Sequence, residues 1–239
     1  MCQLLVKDMP ADKQQKSDIK SELGLYARRF AALTPHRKRA LFLDRDGVIV
    51  EEVNYLHKVD DVLFIPHVAA AIARANRLSI PVVMVTNQSG IGRGYYGWDD
   101  FAIVQKCIGT YYAAQSAHFD MVLACAYHAE GLGFYAVADH PWRKPNPGML
   151  LEAARALNID LCRSFIIGDS ITDLVSGHAA GLAAGALVRT GHGVRDWQAN
   201  GEAQFHAWRT EGRFMPLQTD DAAQAIHQWL NDLGSGLID

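Results

Sequence analysis

The chain has 239 residues, 49% of them hydrophobic, and a formal net charge of −3. That is enough apolar material to bury one generous α/β domain, and it excludes wholesale disorder. The slight negative charge gives no reason to expect nucleic acid or an anionic membrane as partner, so a phosphorylated ligand would have to be met by individual Lys and Arg residues.

Met1 to Lys20 is polar and reads as a loose arm, becoming helical near Ser17. Leu23, Leu25, Tyr26, Phe30 and Leu33 recur close to helical spacing and predict a helix over 21–33, ended by Pro35. The basic run His36-Arg37-Lys38-Arg39 reads as a solvated entry loop. The organisation expected is an N-terminal arm and helix over 1–39 and one enzyme-sized domain over 40–239.

Leu41-Phe42-Leu43 is apolar enough for a buried strand of a parallel sheet, and it stops at Asp44-Arg45-Asp46-Gly47. After an irregular stretch to Phe64, a helix starts at Ile65-Pro66 with Val68, Ala69, Ile72 and Ala73 on one face. Pro81 to Thr86 is a second buried strand. It runs into the glycine-rich Asn87-Gln88-Ser89-Gly90-Ile91-Gly92-Arg93-Gly94. Trp98-Asp99-Asp100 opens a helix running towards Ala117, and Asp120 to Ala126 is a third strand. A long loop, 128–143, ends in Lys144-Pro145-Asn146-Pro147-Gly148. Then come a helix over 149–157, a strand over 164–168, a helix from Asp169 to about Ala179, a strand over 184–188 and a closing helix over 220–233. Strands alternating with helices define an α/β class with a mainly parallel sheet.

Chemistry-bearing residues recur at the C-terminal ends of the predicted strands, which converge on one crevice in an open parallel sheet. Asp44, Asp46 and Asp169 make a hard oxygen site suited to Mg²⁺. Asp44, directly off its strand, is placed to attack phosphorus, and Asp46 to protonate the leaving alkoxide and later activate water. Thr86 and the amides after it can donate to phosphate oxygens, and Lys144 offsets charge on the transferring phosphoryl. Each motif alone has a structural reading: Asp-x-Asp is common at turns, and Asp169 or Ser170 could simply cap a helix. All four in this order favour catalysis.

These residues carry a family resemblance. L-F-L-D-R-D-G-V-I, V-V-M-V-T-N-Q-S-G-I-G-R-G, R-K-P-N-P-G-M-L and I-I-G-D-S-I-T-D resemble the four motifs of haloacid dehalogenase (HAD) superfamily phosphatases. The form is that of the branch containing D-glycero-D-manno-heptose 1,7-bisphosphate phosphatases and histidinol-phosphate phosphatases. The match runs from about Ala40 to Gly193. It implies a Rossmann-like HAD fold with a minimal cap or none. By resemblance Asp44 is the nucleophile and Asp46 the general acid/base. Mg²⁺ is held by Asp44, Asp169 and the backbone carbonyl of Asp46. Thr86 and Lys144 stabilise the phosphoryl, Arg143 recognises the rest of the substrate, and Tyr55, Asn87, Gln88 and Ser89 line the pocket. Asp173 orients the loop of the fourth motif.

Relatives with a structural zinc place C-x-H and then C-x-C before R-K-P. Here Cys125 matches the first ligand, while Tyr127, His140 and Trp142 occupy the other positions, so no zinc is expected. Packing by Phe134, Tyr135 and Trp142 would order that loop instead. Ser170 also departs from close relatives, which often carry Lys there.

The substrate implied is a small phosphorylated metabolite, first a heptose bisphosphate. Histidinol phosphate or another small phosphate is the alternative. A catalytically silent phosphate- or partner-binding protein on the same fold is the reading from another class. Cys2, Cys107, Cys125 and Cys162 are scattered and read as reduced thiols. Without a signal peptide or spanning segment in view, the expectation is a cytoplasmic monomer with no nucleic-acid or membrane partner.

Overall fold

The computed structural model describes residues 24–31, 36 and 38–235. The arm expected over 1–20 lies outside the described residues.

Seven strands form one sheet: β1 (Leu25–Arg29), β2 (Leu41–Leu43), β3 (Val82–Asn87), β4 (Met121–Cys125), β5 (Phe165–Gly168), β6 (Ala184–Val188) and β7 (Met215–Thr219). Their spatial order is β1-β4-β3-β2-β5-β6-β7. All neighbours are parallel except β1, which runs antiparallel to β4. From β2 the chain builds outward to β3 and β4, then returns to the other flank at β5. The order therefore reverses at β2, the crevice where open α/β sheets bind ligands.

The helices are α1 (Val68–Arg77), the short α2 (Ser89–Gly92), α3 (Trp98–Ala113), α4 (Gly148–Leu157), α5 (Ile171–Ala180), the short α6 (Gly193–Asp196), α7 (Glu202–Glu211) and α8 (Ala222–Gly234). Strand alternation sorts the core into two layers. Leu41, Leu43, Met84 and Ile167 face α1, α3 and α8. Phe42, Val83, Val85 and Ile166 face α4, α5 and α7. Burial on both faces explains why the strands read as unbroken apolar runs. The long connections after β2 and β4 hold only the single 3₁₀ turns Val59–Asp61 and Gly133–Tyr135, so no cap domain is built from the described residues there.

Two expectations need correction, and one unassigned stretch gains structure. The helix expected over 21–33 is a strand at 25–29. Paired with the edge of β4, this segment buries Tyr26 in one layer and Ala27 in the other, which local spacing does not reveal. That pairing joins residues 25–29 to the sheet of the domain whose start the sequence places at Ala40. Between Gly193 and Asp220, where sequence patterning assigns nothing, the chain forms α6, a π turn at Trp197–Gly201, α7 and β7. Finally, Cys125 and Cys162 are free, but Cys107 is disulfide-bonded, against the expectation of reduced thiols throughout. Among the described residues, no helix is long and apolar enough to cross a membrane.

Candidate active site

The site gathers where β2, β3 and β5 end. The Asp44 amide donates to Ile167 O at 3.0 Å, so the residue leaves β2 still tied to β5. Its Oδ1 accepts from the Arg45 amide at 2.7 Å and pairs with Lys144 Nζ at 2.9 Å. Gly47 turns the chain at φ +74°, and a side chain there would collide with the Asp169 carboxylate.

Lys144 is buried and bridges Asp44 and Asp173, while also donating to Val85 O at 2.9 Å. Asp169 accepts from the His192 amide at 2.8 Å. One carboxylate oxygen from each of Asp44, Asp169 and Asp173 lies within 4.8 Å of the others. Burial, with the neighbouring carboxylates adding to it, pushes Asp44 up to about 7 despite Lys144. The same causes push Asp169 up to about 9. Lys144 is held charged: burial opposes its charge, but Asp173 and Asp44 outweigh that. Three acids crowd one lysine, so without a cation the site relieves its charge by holding protons on Asp44 and Asp169. Hard oxygen donors whose charge a bound cation would balance in place of those protons fit a divalent ion such as Mg²⁺.

Asp173 does more than the sequence reading gives it. Its Oδ2 accepts from the Ser170 amide at 3.1 Å, closing the box that caps α5 and orienting the loop as expected. Its Oδ1 faces Lys144 and the other two acids. The side chain of Asp46, by contrast, stands apart from that cluster. Arg45 clamps it through Nε to Oδ1 at 3.0 Å and through a terminal nitrogen to Oδ2 at 2.9 Å. Arg45 is buried, with its guanidinium carbon 5.6 Å from the Phe101 ring centroid. Sequence reading assigns Arg45 nothing, although its place between two motif aspartates is a signal.

Thr86 and Gln88 are joined to Asp46 by a directional chain. The Tyr96 hydroxyl donates to Gln88 Oε1 at 2.6 Å. Gln88 Nε2 donates to Asp46 Oδ2 at 3.2 Å and to Thr86 Oγ1 at 2.8 Å. Since Thr86 accepts here, its own hydroxyl proton is free to be donated elsewhere. Burial pushes Tyr96 up to about 12, so it remains a donor at neutral pH. Tyr96 lies in no motif, and sequence reading misses it.

The residues expected to line a pocket divide. Gln88 is buried in the chain just described. Asn87 clasps the Lys144 backbone, donating to its carbonyl at 3.0 Å and accepting from its amide at 3.1 Å. It therefore positions Lys144. Ser89 opens α2, half-buried. Tyr55 lies at the rim, its hydroxyl accepting from Arg93 at 3.0 Å. Arg143, half-buried, donates to Tyr127 O at 3.0 Å. In the loop before it, Tyr127 stacks on His140 with centroids 4.1 Å apart, and His140 Nδ1 accepts from the Trp142 amide at 3.1 Å. Tyr135 and Trp142 pack partly against the core, while Phe134 is exposed.

With a Rossmann-like sheet and an acid cluster at its switch point, the chain can be set beside known proteins. A family model described as "HAD-hyrolase-like" matches residues 141–207. D-glycero-beta-D-manno-heptose-1,7-bisphosphate 7-phosphatase of Mesorhizobium japonicum is 48% identical over 179 residues, covering 74% of this chain and 82% of that protein. The same-named protein of Pasteurella multocida is 38% identical, over 66% of this chain and 86% of its own length. Among solved structures, a HAD-like phosphatase from Mesorhizobium loti is 48% identical, covers 72% of this chain and 82% of its own, and superposes with a TM-score of 0.69. D,D-heptose 1,7-bisphosphate phosphatase from B. bronchiseptica, solved with magnesium and phosphate, is 27% identical, covers 81% and 99%, and has a TM-score of 0.68. The chain belongs to the HAD superfamily of phosphatases. It is a phosphoric monoester hydrolase of the branch that contains these relatives.

Proposed function

We propose that the chain is a Mg²⁺-dependent phosphatase that removes one phosphate from D-glycero-D-manno-heptose 1,7-bisphosphate through an aspartyl-phosphate on Asp44. The observation that carries this reading is the convergence of Asp44, Lys144, Asp169 and Asp173 at the sheet's switch point. The names of relatives up to 48% identical supply the substrate.

Asp44 Oδ1 is occupied by the Arg45 amide and Lys144, which leaves Oδ2 for attack on phosphorus. As that bond forms, the bond from phosphorus to the sugar oxygen breaks. Asp46, once one of its oxygens leaves the Arg45 fork that holds both in this structure, delivers a proton to the departing alkoxide. Water, giving a proton back to Asp46, then attacks the aspartyl-phosphate, releasing inorganic phosphate and restoring Asp44. Thr86 donates its free hydroxyl proton to a phosphoryl oxygen, and Lys144 offsets the charge. Mg²⁺ would be held by Asp44 and Asp169 with the Asp46 carbonyl, and the position of Asp173 adds a third carboxylate. When bound, the ion neutralises charge on the phosphoryl group.

Zinc has no part in this reading, because Tyr127 and Trp142 offer no ligand where relatives place theirs. The same reading takes the chain as a monomer. A phosphorylated metabolite suits the cytoplasm, as do the free Cys125 and Cys162, though the disulfide at Cys107 does not.

The test is a Mg²⁺ titration of phosphate release from p-nitrophenyl phosphate and a panel of phosphorylated metabolites that includes both heptose bisphosphate anomers. Metal-dependent turnover with a heptose bisphosphate on top is expected. No metal-dependent release from any of them would favour the silent binding protein.

A further inference from the structure

The turn that follows β6 reaches two loops of the active site at once. Thr190 donates its hydroxyl proton to Gly47 O, in the loop that carries Asp44 and Asp46. Two residues on, the His192 amide donates to Asp169 Oδ2 at 2.8 Å. Between them Gly191 passes at φ +54°, where a side chain would collide with the same carboxylate. Asp196, at the end of α6, then reaches back to the start of α5. Its Oδ2 accepts from Ser170 Oγ at 2.6 Å and from the Ile171 amide at 3.0 Å.

Ser170 and Ile171 lie between the two acids of the fourth motif, Asp169 and Asp173. A serine hydroxyl has one proton to give, and here it goes to Asp196. The oxygen is then left to accept from the Thr172 amide at 3.4 Å and from Thr172 Oγ1 at 3.1 Å. Asp196 thereby orients the hydroxyl that caps α5. Burial opposes its charge, but the hydrogen bonds from Ser170 and the Ile171 amide, joined by Arg195, outweigh that and hold the carboxyl below its ordinary range. Asp196 is not itself one of the acids that meet at the floor of the site.

We infer that Asp196 is a positioning residue for the metal site: through Ser170 and Ile171 it fixes the backbone from which Asp169 and Asp173 project, and so sets the Mg²⁺ affinity of the acid cluster. The inference rests on the reading of that cluster as the Mg²⁺ site. Mg²⁺ is small and demands near-ideal ligand geometry, so carboxylates on a backbone that can drift bind it less well.

The experiment measures Mg²⁺ binding to the metal-free full chain by titration calorimetry, beside Mg²⁺-dependent hydrolysis of p-nitrophenyl phosphate. Asp196→Ala should weaken Mg²⁺ binding about 10-fold, the scale of losing a group that orients a metal ligand. Its kcat at saturating Mg²⁺ should return close to that of wild type. Asp196→Asn, whose amide oxygen can still accept both hydrogen bonds, should keep most of the affinity. Ser170→Ala should weaken binding less than Asp196→Ala, and the double variant should be no worse than Asp196→Ala alone, because the hydroxyl acts through Asp196. Asp221→Ala, which removes the cap of α8 away from the site, should lower the melting temperature and leave Mg²⁺ affinity unchanged. Wild-type Mg²⁺ affinity in Asp196→Ala, or an equal loss in Asp221→Ala, overturns the inference. If Asp196→Ala does not fold, Ser170→Ala decides, and wild-type affinity there overturns it. Failure of the underlying Mg²⁺ reading looks different, since wild type itself would then bind no Mg²⁺.

Discussion

Two regions only a few residues apart differ in charge and are built in opposite ways. The floor, made of Asp44, Lys144, Asp169 and Asp173, is rich in carboxylates, largely buried and held by the ends of β2 and β5, the loop before α4 and the first turn of α5. The rim, made of Tyr55, Arg93, His128 and Arg143, is cationic, partly exposed and carried entirely by loops. The contrast divides the labour. A buried, crowded floor is where charge on a reacting phosphoryl can be matched by groups that do not have to reorganise. An open rim can meet the rest of the substrate and so choose among substrates.

The largest effect that could break this division lies in the floor. Asp44→Asn should leave the melting temperature near that of wild type and reduce kcat by about 10⁴-fold or more, since removing a covalent nucleophile costs on that scale. Steady-state kinetics on p-nitrophenyl phosphate check it. Turnover within about 10-fold of wild type would remove Asp44 as the nucleophile.

A smaller effect should appear in stability. Asp44 and Asp169 bind protons more tightly in the folded chain than in the unfolded one, with Asp44 raised from 3.8 to about 7 and Asp169 to about 9. Folding therefore takes up protons above pH 4. The stability these groups lend is fully present below their unfolded values and is lost as pH rises through 7 towards 9. The metal-free protein should melt lower at pH 8 than at pH 5, with each kcal/mol lost worth about 2–4 °C. Mg²⁺ should recover more of that loss at pH 8 than at pH 5, because protons and metal compete for the same oxygens. Thermal melts at the two pH values with and without Mg²⁺ decide it. A flat profile would mean that the floor is not charge-frustrated.

The smallest expected effect concerns the link between Tyr96, Gln88 and Thr86. Tyr96→Phe keeps the ring but frees the Gln88 amide to rotate, so Thr86 is no longer forced to direct its proton outward. A fall in kcat of about 10-fold, with KM and melting temperature little changed, is expected from losing one oriented donor. Equal changes in kcat and melting temperature would reduce Tyr96 to packing.

The same contrast explains what could be read from the sequence. Asp44, Thr86, Lys144 and Asp169 were legible because each follows an apolar strand or a Pro-flanked loop end, and strand ends must converge in a parallel sheet. Asp173 was half legible: its spacing revealed the cap on α5 but not its approach to Lys144, which comes from a different loop. Arg45, Tyr96 and the reach of Asp196 to Ser170 depend on contacts between segments that carry no periodic signal. The strand at 25–29 was hidden for a related reason. Edge pairing with β4, rather than local spacing, decides its conformation.

The most direct test of the whole account is the ratio of kcat/KM for D-glycero-D-manno-heptose 1,7-bisphosphate to that for histidinol phosphate, measured with Mg²⁺ at neutral pH. A carboxylate-rich floor under a cationic rim predicts a ratio of at least about 100, because the second phosphate is attracted where the ammonium is repelled. A ratio near or below one would contradict it.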